Sequence, residues 1–298
     1  MSYPGPKPRT AAERPFLERT RRKVRALDLA LLFAIPALLV LVYALPEAFR
    51  DEFVLYYLEP TLLTAFASHF VHLEATHLLA NLLGYGLLAG VGYLLAVHGN
   101  CRRFFLSALL VIVLVFPLVL SGLNLAVPRN AVSYGFSGVN MALLGLLPLV
   151  LGEYLRATFT PTLERRHVGL AYFVATAIIA LIAVPIALPT VALATTSVGI
   201  AGLYAHGLLQ RHWQLRRLGR EILERPGYGE LALGGGVVFV SYLFVAFPAD
   251  VVYGTAVLNI YVHFLGYSLG FIGPYLVLEA GTYDRPTSPL KPPSSPRA

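Results

Sequence analysis

From residue 29 onward, long apolar blocks alternate with short polar and basic segments. A helix needs about 20 mostly apolar residues to cross about 30 Å of hydrocarbon. Eight blocks meet that requirement: 29–45, 75–97, 104–123, 135–151, 168–187, 190–209, 231–247 and 255–278. Barrel strands would alternate apolar and polar positions over about ten residues, and these blocks do not. The fifth and sixth blocks form one apolar stretch broken near Pro185 and Pro189. Its length is about twice that of a single crossing, which predicts a tight helical hairpin. The expected fold is therefore all-α, a polytopic transmembrane helical bundle of about eight helices.

Composition agrees with this pattern. The 298 residues are 57% hydrophobic and only 13% charged, with a mean hydropathy of +0.68, which excludes an ordinary soluble globular domain. The single cysteine, Cys101, rules out a disulfide framework or a multi-cysteine metal site. A net charge of +7 could point to nucleic acid, but the basic residues lie between and beside the apolar blocks. Membrane orientation explains them, with the lipid bilayer as partner and no nucleic acid. Of 23 lysines and arginines, all but Arg50 and Arg129 fall on the side of the N-terminus. This predicts cytoplasmic N- and C-termini and a multi-pass protein of the cell membrane. The first apolar block is long and lacks a small-x-small cleavage site, so it reads as a retained helix and not a signal peptide. Residues 1–26 are expected to form a basic cytoplasmic arm, disordered or associated with headgroups. Residues 27–280 form the membrane domain, and 281–298 a Pro/Ser-rich disordered tail. No internal repeat is visible.

An ionisable side chain inside a span marks function by default, because hydrocarbon penalises it unless it faces a packed or wet interior. The eight blocks contain no Asp, Glu, Lys or Arg, and the histidines of interest are His77, His206 and His263. The second block enters from outside through HFVHLEATHLLAN, where His77 and Asn81 share a helix face at i, i+4 spacing. The fourth enters from the same side through SYGFSGVNMALLG, with Ser137 between Gly135 and Gly138. The eighth does so through NIYVHFLGYSLGF, placing His263 near its outer end. His77, Asn81, Ser137 and His263 are thus expected at one depth in one leaflet, whereas His206 sits at the opposite end of its span. A serine becomes nucleophilic when an imidazole accepts its proton, and that imidazole can later protonate a leaving amine. With no carboxylate in any span, the pattern predicts a Ser137–His263 dyad and not a triad. The Asn81 amide, the His77 ring N–H and the Ser137 backbone N–H suit an oxyanion site. Gly266 and Gly270 form a small-xxx-small face for close helix approach, and Gly135 and Gly138 clear space around the serine.

On these residues the chain resembles the rhomboid family of intramembrane serine proteases. The matching motifs are His72 ahead of His77-x3-Asn81, the Gly-x-Ser-Gly helix start at Gly135 to Gly138, and His263-x2-Gly266-x3-Gly270 on the last span. The resemblance implies a protease that needs no cofactor and no metal and cuts transmembrane protein substrates near the outer membrane face. It implies Ser137 as nucleophile, His263 as base, His77 and Asn81 as oxyanion residues, and His72 as a loop-supporting histidine. The chain departs from the family pattern at three places. Its first outer loop lacks a Trp-Arg pair, and the only tryptophan is Trp213. Met141 stands where many members carry an aromatic that stacks on the catalytic histidine. Three crossings separate the serine and histidine helices where the six-helix core has one, so the expected bundle is a rhomboid-like core with two additional spans. Two other readings compete: a catalytically inactive rhomboid-like adaptor, and a metal or solute transporter using His69, His72 and His77 as ligands.

Overall fold

Thirteen α-helices account for most of the described residues in a computed structural model that describes residues 16–161, 163–210, 212–250, 252–253 and 256–283. In chain order they are α1 (Phe16–Lys23), α2 (Ala26–Tyr43), α3 (Glu47–Asp51), α4 (Leu62–Ala67), α5 (Ala75–His98), α6 (Arg102–Leu114) and α7 (Phe116–Leu125). They continue with α8 (Ser137–Thr158), α9 (Val168–Ala183), α10 (Leu188–Leu209), α11 (His212–Glu224), α12 (Tyr228–Ala246) and α13 (Ile260–Glu279). Seven of the helical segments are individually long and apolar enough to span a membrane, and α6 with α7 makes an eighth, bent by 47°. The protein is a multi-pass membrane helical bundle.

Each predicted block maps to a helix, and the departures have local causes. The third block is broken at Val115, because Pro117 has no N–H for the helical ladder and its ring crowds the preceding turn. The predicted hairpin is present: α9 stops at Ala183, α10 restarts at Leu188 with Pro189 in its first turn, and the two helices pack on each other. The last helix begins at Ile260 and not at Thr255, since Asn259 caps it by accepting from the Val262 N–H. Ahead of it lies a two-residue antiparallel ladder, β3 (Val252–Tyr253) with β4 (Ala256–Val257). A similar ladder, β1 (Leu55–Tyr56) with β2 (Val132–Ser133), ties the segment between α3 and α4 to the approach to α8. Sequence reading had no strand at either place.

Several helices also run longer than their apolar blocks and take in carboxylates. Asp28 on α2 pairs with Arg102 at 2.9 Å and accepts from the Tyr93 hydroxyl at 2.7 Å. Glu153 on α8 pairs with Arg165 at 2.8 Å and with Arg156 at 3.0 Å. Such charges are tolerated at span ends because each has a partner. The described part of the basic arm is helical: α1 stacks Phe16 on His98 at 4.7 Å, with Tyr228 edge-on at 5.0 Å. Residues 1–15 and 284–298, which hold most of the two predicted tails, lie outside the described residues.

The centre of the bundle is α8, with 83% of its apolar window buried against 22% for α2 and α10. Around it stand α5, α12 and α13, and α8 with α13 makes the most extensive contact. Matching positions rise together along α5, α8 and α13: Asn140 meets Asn81 while Tyr154 meets Gly99, and Gly138 meets Gly266 while Ala142 meets Gly270. The three helices are therefore parallel. In contrast, α12 is antiparallel to α8, since Tyr154 near the end of α8 donates to the Tyr228 carbonyl at the start of α12. Of the three crossings between α8 and α13, α12 packs on both α5 and α8, whereas α10 lies against α9 at the periphery.

Candidate functional site

Helix α8 starts where it does because Gly135 has φ +103°, a conformation that other residues rarely adopt. Its amide donates to the Ser68 carbonyl at 2.9 Å, and a Cβ there would collide with the His77 ring, whose Nε2 would lie only 2.7 Å away. The next amide, Phe136, donates to His72 Nε2 at 3.3 Å. These two bonds fix the turn that presents Ser137 as the first residue of α8, half-buried, next to first-turn amides that have no acceptor within the helix.

His72 is held in turn by Arg50. This arginine is 7% exposed. Its Nη1 donates to the His72 carbonyl, its Nε donates to the Leu45 carbonyl at 3.2 Å, and its guanidinium lies 4.4 Å from the Tyr43 ring centroid. Burial pushes the His72 pKa down to about 3, and nearby His77 and Arg50 act in the same direction against a backbone hydrogen bond at Phe70. His69 is treated similarly, with burial lowering its pKa to about 4. Its Nε2 lies 3.0 Å from Ser121 Oγ, and Ser121 donates to the Ala65 carbonyl at 2.6 Å. His69, His72 and His77 therefore do not converge as ligands. His72 and His77 meet edge to face at 5.0 Å, while His69 faces Ser121.

Asn81, 4% exposed, lies one turn below His77. Its Nδ2 donates to the His77 carbonyl at 3.0 Å, which leaves its second amide proton available. Asn140 of α8 donates to the Asn81 backbone carbonyl at 3.0 Å and its Oδ1 at 3.3 Å. This bond locks α5 to α8 one turn below Ser137. Asn259 donates to the Tyr57 hydroxyl at 3.2 Å and to Asn124 Oδ1 at 3.3 Å, so it anchors the start of α13 to the segment after β1 and to α7. Glu74 occupies the N-cap position of α5, yet its carboxylate accepts from the Tyr134 hydroxyl at 3.2 Å and not from the helix amides.

His263 is 4% exposed on α13. Its Nδ1 lies 2.9 Å from the Ala246 carbonyl at the end of α12, which holds the proton on Nδ1 and leaves Nε2 as the acceptor nitrogen. Nε2 is buried and has no hydrogen-bond partner among the described residues, so no bond joins it to Ser137 Oγ. Apo catalytic pairs are often longer than hydrogen-bond distance and tighten with substrate. The aromatic contact absent at Met141 comes instead from Phe247, edge-on to the His263 ring at 6.0 Å.

What brings the two helices to one level is the absence of side chains between them. A Cβ on Gly138 would lie 2.8 Å from Val262 Cγ1, the residue before His263. One on Gly266 would overlap the Gly138 carbonyl oxygen and lie 3.0 Å from Met141 Cβ, and one on Gly270 would overlap the Ala142 backbone. From α8, a Cβ on Gly145 would overlap the Tyr267 carbonyl and lie 2.8 Å from Phe271 N. His206 is exposed on α10 and bonds Gln210 at 2.9 Å, apart from this group. Arg50, Ala246 and Phe247 were missed from sequence; the buried-arginine signal was present only in that Arg50 is one of the two basic residues expected on the side away from the N-terminus. Comparison with family models, with curated proteins and with solved structures finds no match.

Proposed function

We propose that the protein is a rhomboid-type intramembrane serine endopeptidase that cleaves transmembrane-helix substrates near the membrane face where Ser137 lies. The observation that carries this reading is the state of His263. Its Nδ1 is tied to Ala246, its Nε2 is buried without a partner among the described residues, and glycine contacts hold its helix against the backbone of the Ser137 helix.

In this reading Ser137 Oγ attacks the scissile carbonyl carbon while its proton passes to His263 Nε2. The oxyanion is stabilised by the free Asn81 Nδ2 proton, the His77 ring N–H and the first amides of α8. As the C–N bond breaks, His263 returns the proton to the leaving amine. Water then attacks the acyl-serine with His263 again as base. The Ala246 carbonyl orients the imidazole and stabilises its cation, a role a carboxylate fills in a triad. A substrate helix must unwind first, because its carbonyls are engaged in hydrogen bonds; small or helix-breaking residues near that face would favour this. The lysine and arginine distribution supports placing both termini in the cytoplasm and the site toward the outer face.

The test is cleavage of a reporter transmembrane substrate by purified protein in vesicles. The wild-type protein should cut it, and Ser137→Ala should insert and fold normally without cutting. Equal cleavage by the two proteins would exclude the dyad.

A further inference from the structure

At the end of the bundle away from Ser137, a cavity of about 990 Å³ opens among the ends of α1, α2, α5, α6, α8 and α13. Six cationic side chains line it, Arg22, Lys23, Arg25, Arg102, Arg103 and Arg165, against one carboxylate, Glu153. Glu153 is engaged by Arg165 and Arg156, and Arg102 by Asp28. Lys23, Arg25 and Arg103 have no carboxylate partner among the described residues. Burial and the neighbouring Arg19 lower the Lys23 pKa. The first turn of α6 opens here with no side-chain cap, adding the partial positive charge of its free amides.

We propose that this basin binds the phosphate group of an anionic lipid headgroup. Its depth favours lipid over a free anion. Glu153 lies sixteen residues along α8 from Ser137, about 24 Å at 1.5 Å per residue, so the basin sits at the headgroup level of the opposite leaflet. Large apolar side chains adjoin the lining in sequence: Leu27 is 84% exposed two residues after Arg25, and Leu276 is 61% exposed two residues before Leu278. They offer acyl chains a surface beside the charged floor. Tyr283 lines the same cavity with its ring edge-on to Phe104 at 5.6 Å, an aromatic placement usual at a membrane interface. Lipid binding here goes beyond the peptidase reading and is independent of Ser137 chemistry.

The experiment titrates phosphatidylglycerol, phosphatidylcholine and inorganic phosphate onto the detergent-purified full chain, with bound lipid counted by native mass spectrometry. Arg25→Gln with Arg103→Gln removes two exposed cations from the basin. Arg216→Gln with Arg220→Gln removes two exposed cations from α11 and matches the charge change. Phosphatidylglycerol should bind in preference to phosphatidylcholine and weaken with added salt. At about fivefold per lost cation, the basin variant should bind about 25-fold more weakly, with the α11 variant close to wild type. Unchanged binding by the basin variant would overturn the assignment, as would equal weakening by both variants, the mark of a diffuse surface field. Complete displacement of the lipid by millimolar inorganic phosphate would also overturn it, because the site would then be one for the free anion. If a variant fails to fold, the wild-type protein still decides the matter: binding of phosphatidylcholine as tight as that of phosphatidylglycerol, or displacement by millimolar phosphate, would overturn the assignment.

Discussion

The glycine contact between α8 and α13 makes a prediction that separates geometry from stability. In Gly266→Ala the new methyl would overlap the Gly138 carbonyl oxygen and stand 3.0 Å from Met141 Cβ. Neither neighbour is the free end of a flexible side chain, so α13 itself must withdraw. An ordinary carbon–oxygen contact between helices is about 3.3 Å, which sets the withdrawal at roughly 1 Å. Overpacking of this kind costs about 1–3 kcal/mol of stability, and a shift of about 1 Å at a reacting pair lowers turnover about 100-fold. Gly273→Ala on the same helix is the control. A Cβ there meets nothing within 4 Å, and alanine is the better helix former by about 0.5–1 kcal/mol. Thermal unfolding in detergent and reporter cleavage in vesicles are measured for both variants. Gly266→Ala should lose most cleavage while remaining folded, and Gly273→Ala should keep full activity with equal or higher stability. Full cleavage by folded Gly266→Ala would refute the idea that glycine packing sets the Ser137–His263 distance.

Two further outcomes follow from the segments that lead into α5. Arg50→Gln leaves the fully buried His72 carbonyl without its donor and removes the cation over Tyr43; denaturant unfolding should show a loss of about 2–4 kcal/mol, and a loss below the error of the measurement would contradict the bracing role. Acidification should also destabilise the fold. Folded-state pKa values of about 4 for His69 and about 3 for His72 lie below the unfolded value of 6.5, so the unfolded chain takes up protons first. Stability is then complete above pH 6.5 and falls on descent toward pH 3–4, by up to about 1.4 kcal/mol per unit per group. Thermal unfolding followed across that window should show the fall, and His69→Gln should flatten part of it; a flat profile in the wild-type protein would contradict the buried-neutral reading.

Much of the bundle was legible in the chain because bilayer thickness imposes a length that apolar blocks must match. The hairpin at Pro185 and Pro189 and the parallel course of α5, α8 and α13 follow from block lengths and from parity alone. Parity is also why His77, Asn81, Ser137 and His263 could be assigned to one end before any contact was known. Features that depend on pairing across long sequence distances were not legible. The Ala246 carbonyl that holds His263 Nδ1 is a backbone group and leaves no trace in residue type. Arg50 read as a loop charge, although the Leu45 and His72 carbonyls and the Tyr43 ring bury it. The β1–β2 and β3–β4 ladders are two residues long, too short for any periodic pattern, and the bend at Pro117 was hidden inside an unbroken apolar run. Asp28 and Glu153 fell just outside the apolar blocks, and the helices absorbed them because Arg102 and Arg165 lie opposite.

The central claim, that His263 activates Ser137, is tested most directly by covalent labelling with a serine-reactive fluorophosphonate and peptide mapping of the modified residue. The wild-type protein should be labelled at Ser137. His263→Ala, shown to be folded by thermal unfolding, should lose the label, as should Ser137→Ala. Labelling of Ser137 at the wild-type rate in folded His263→Ala, or modification that persists in Ser137→Ala, would contradict the account.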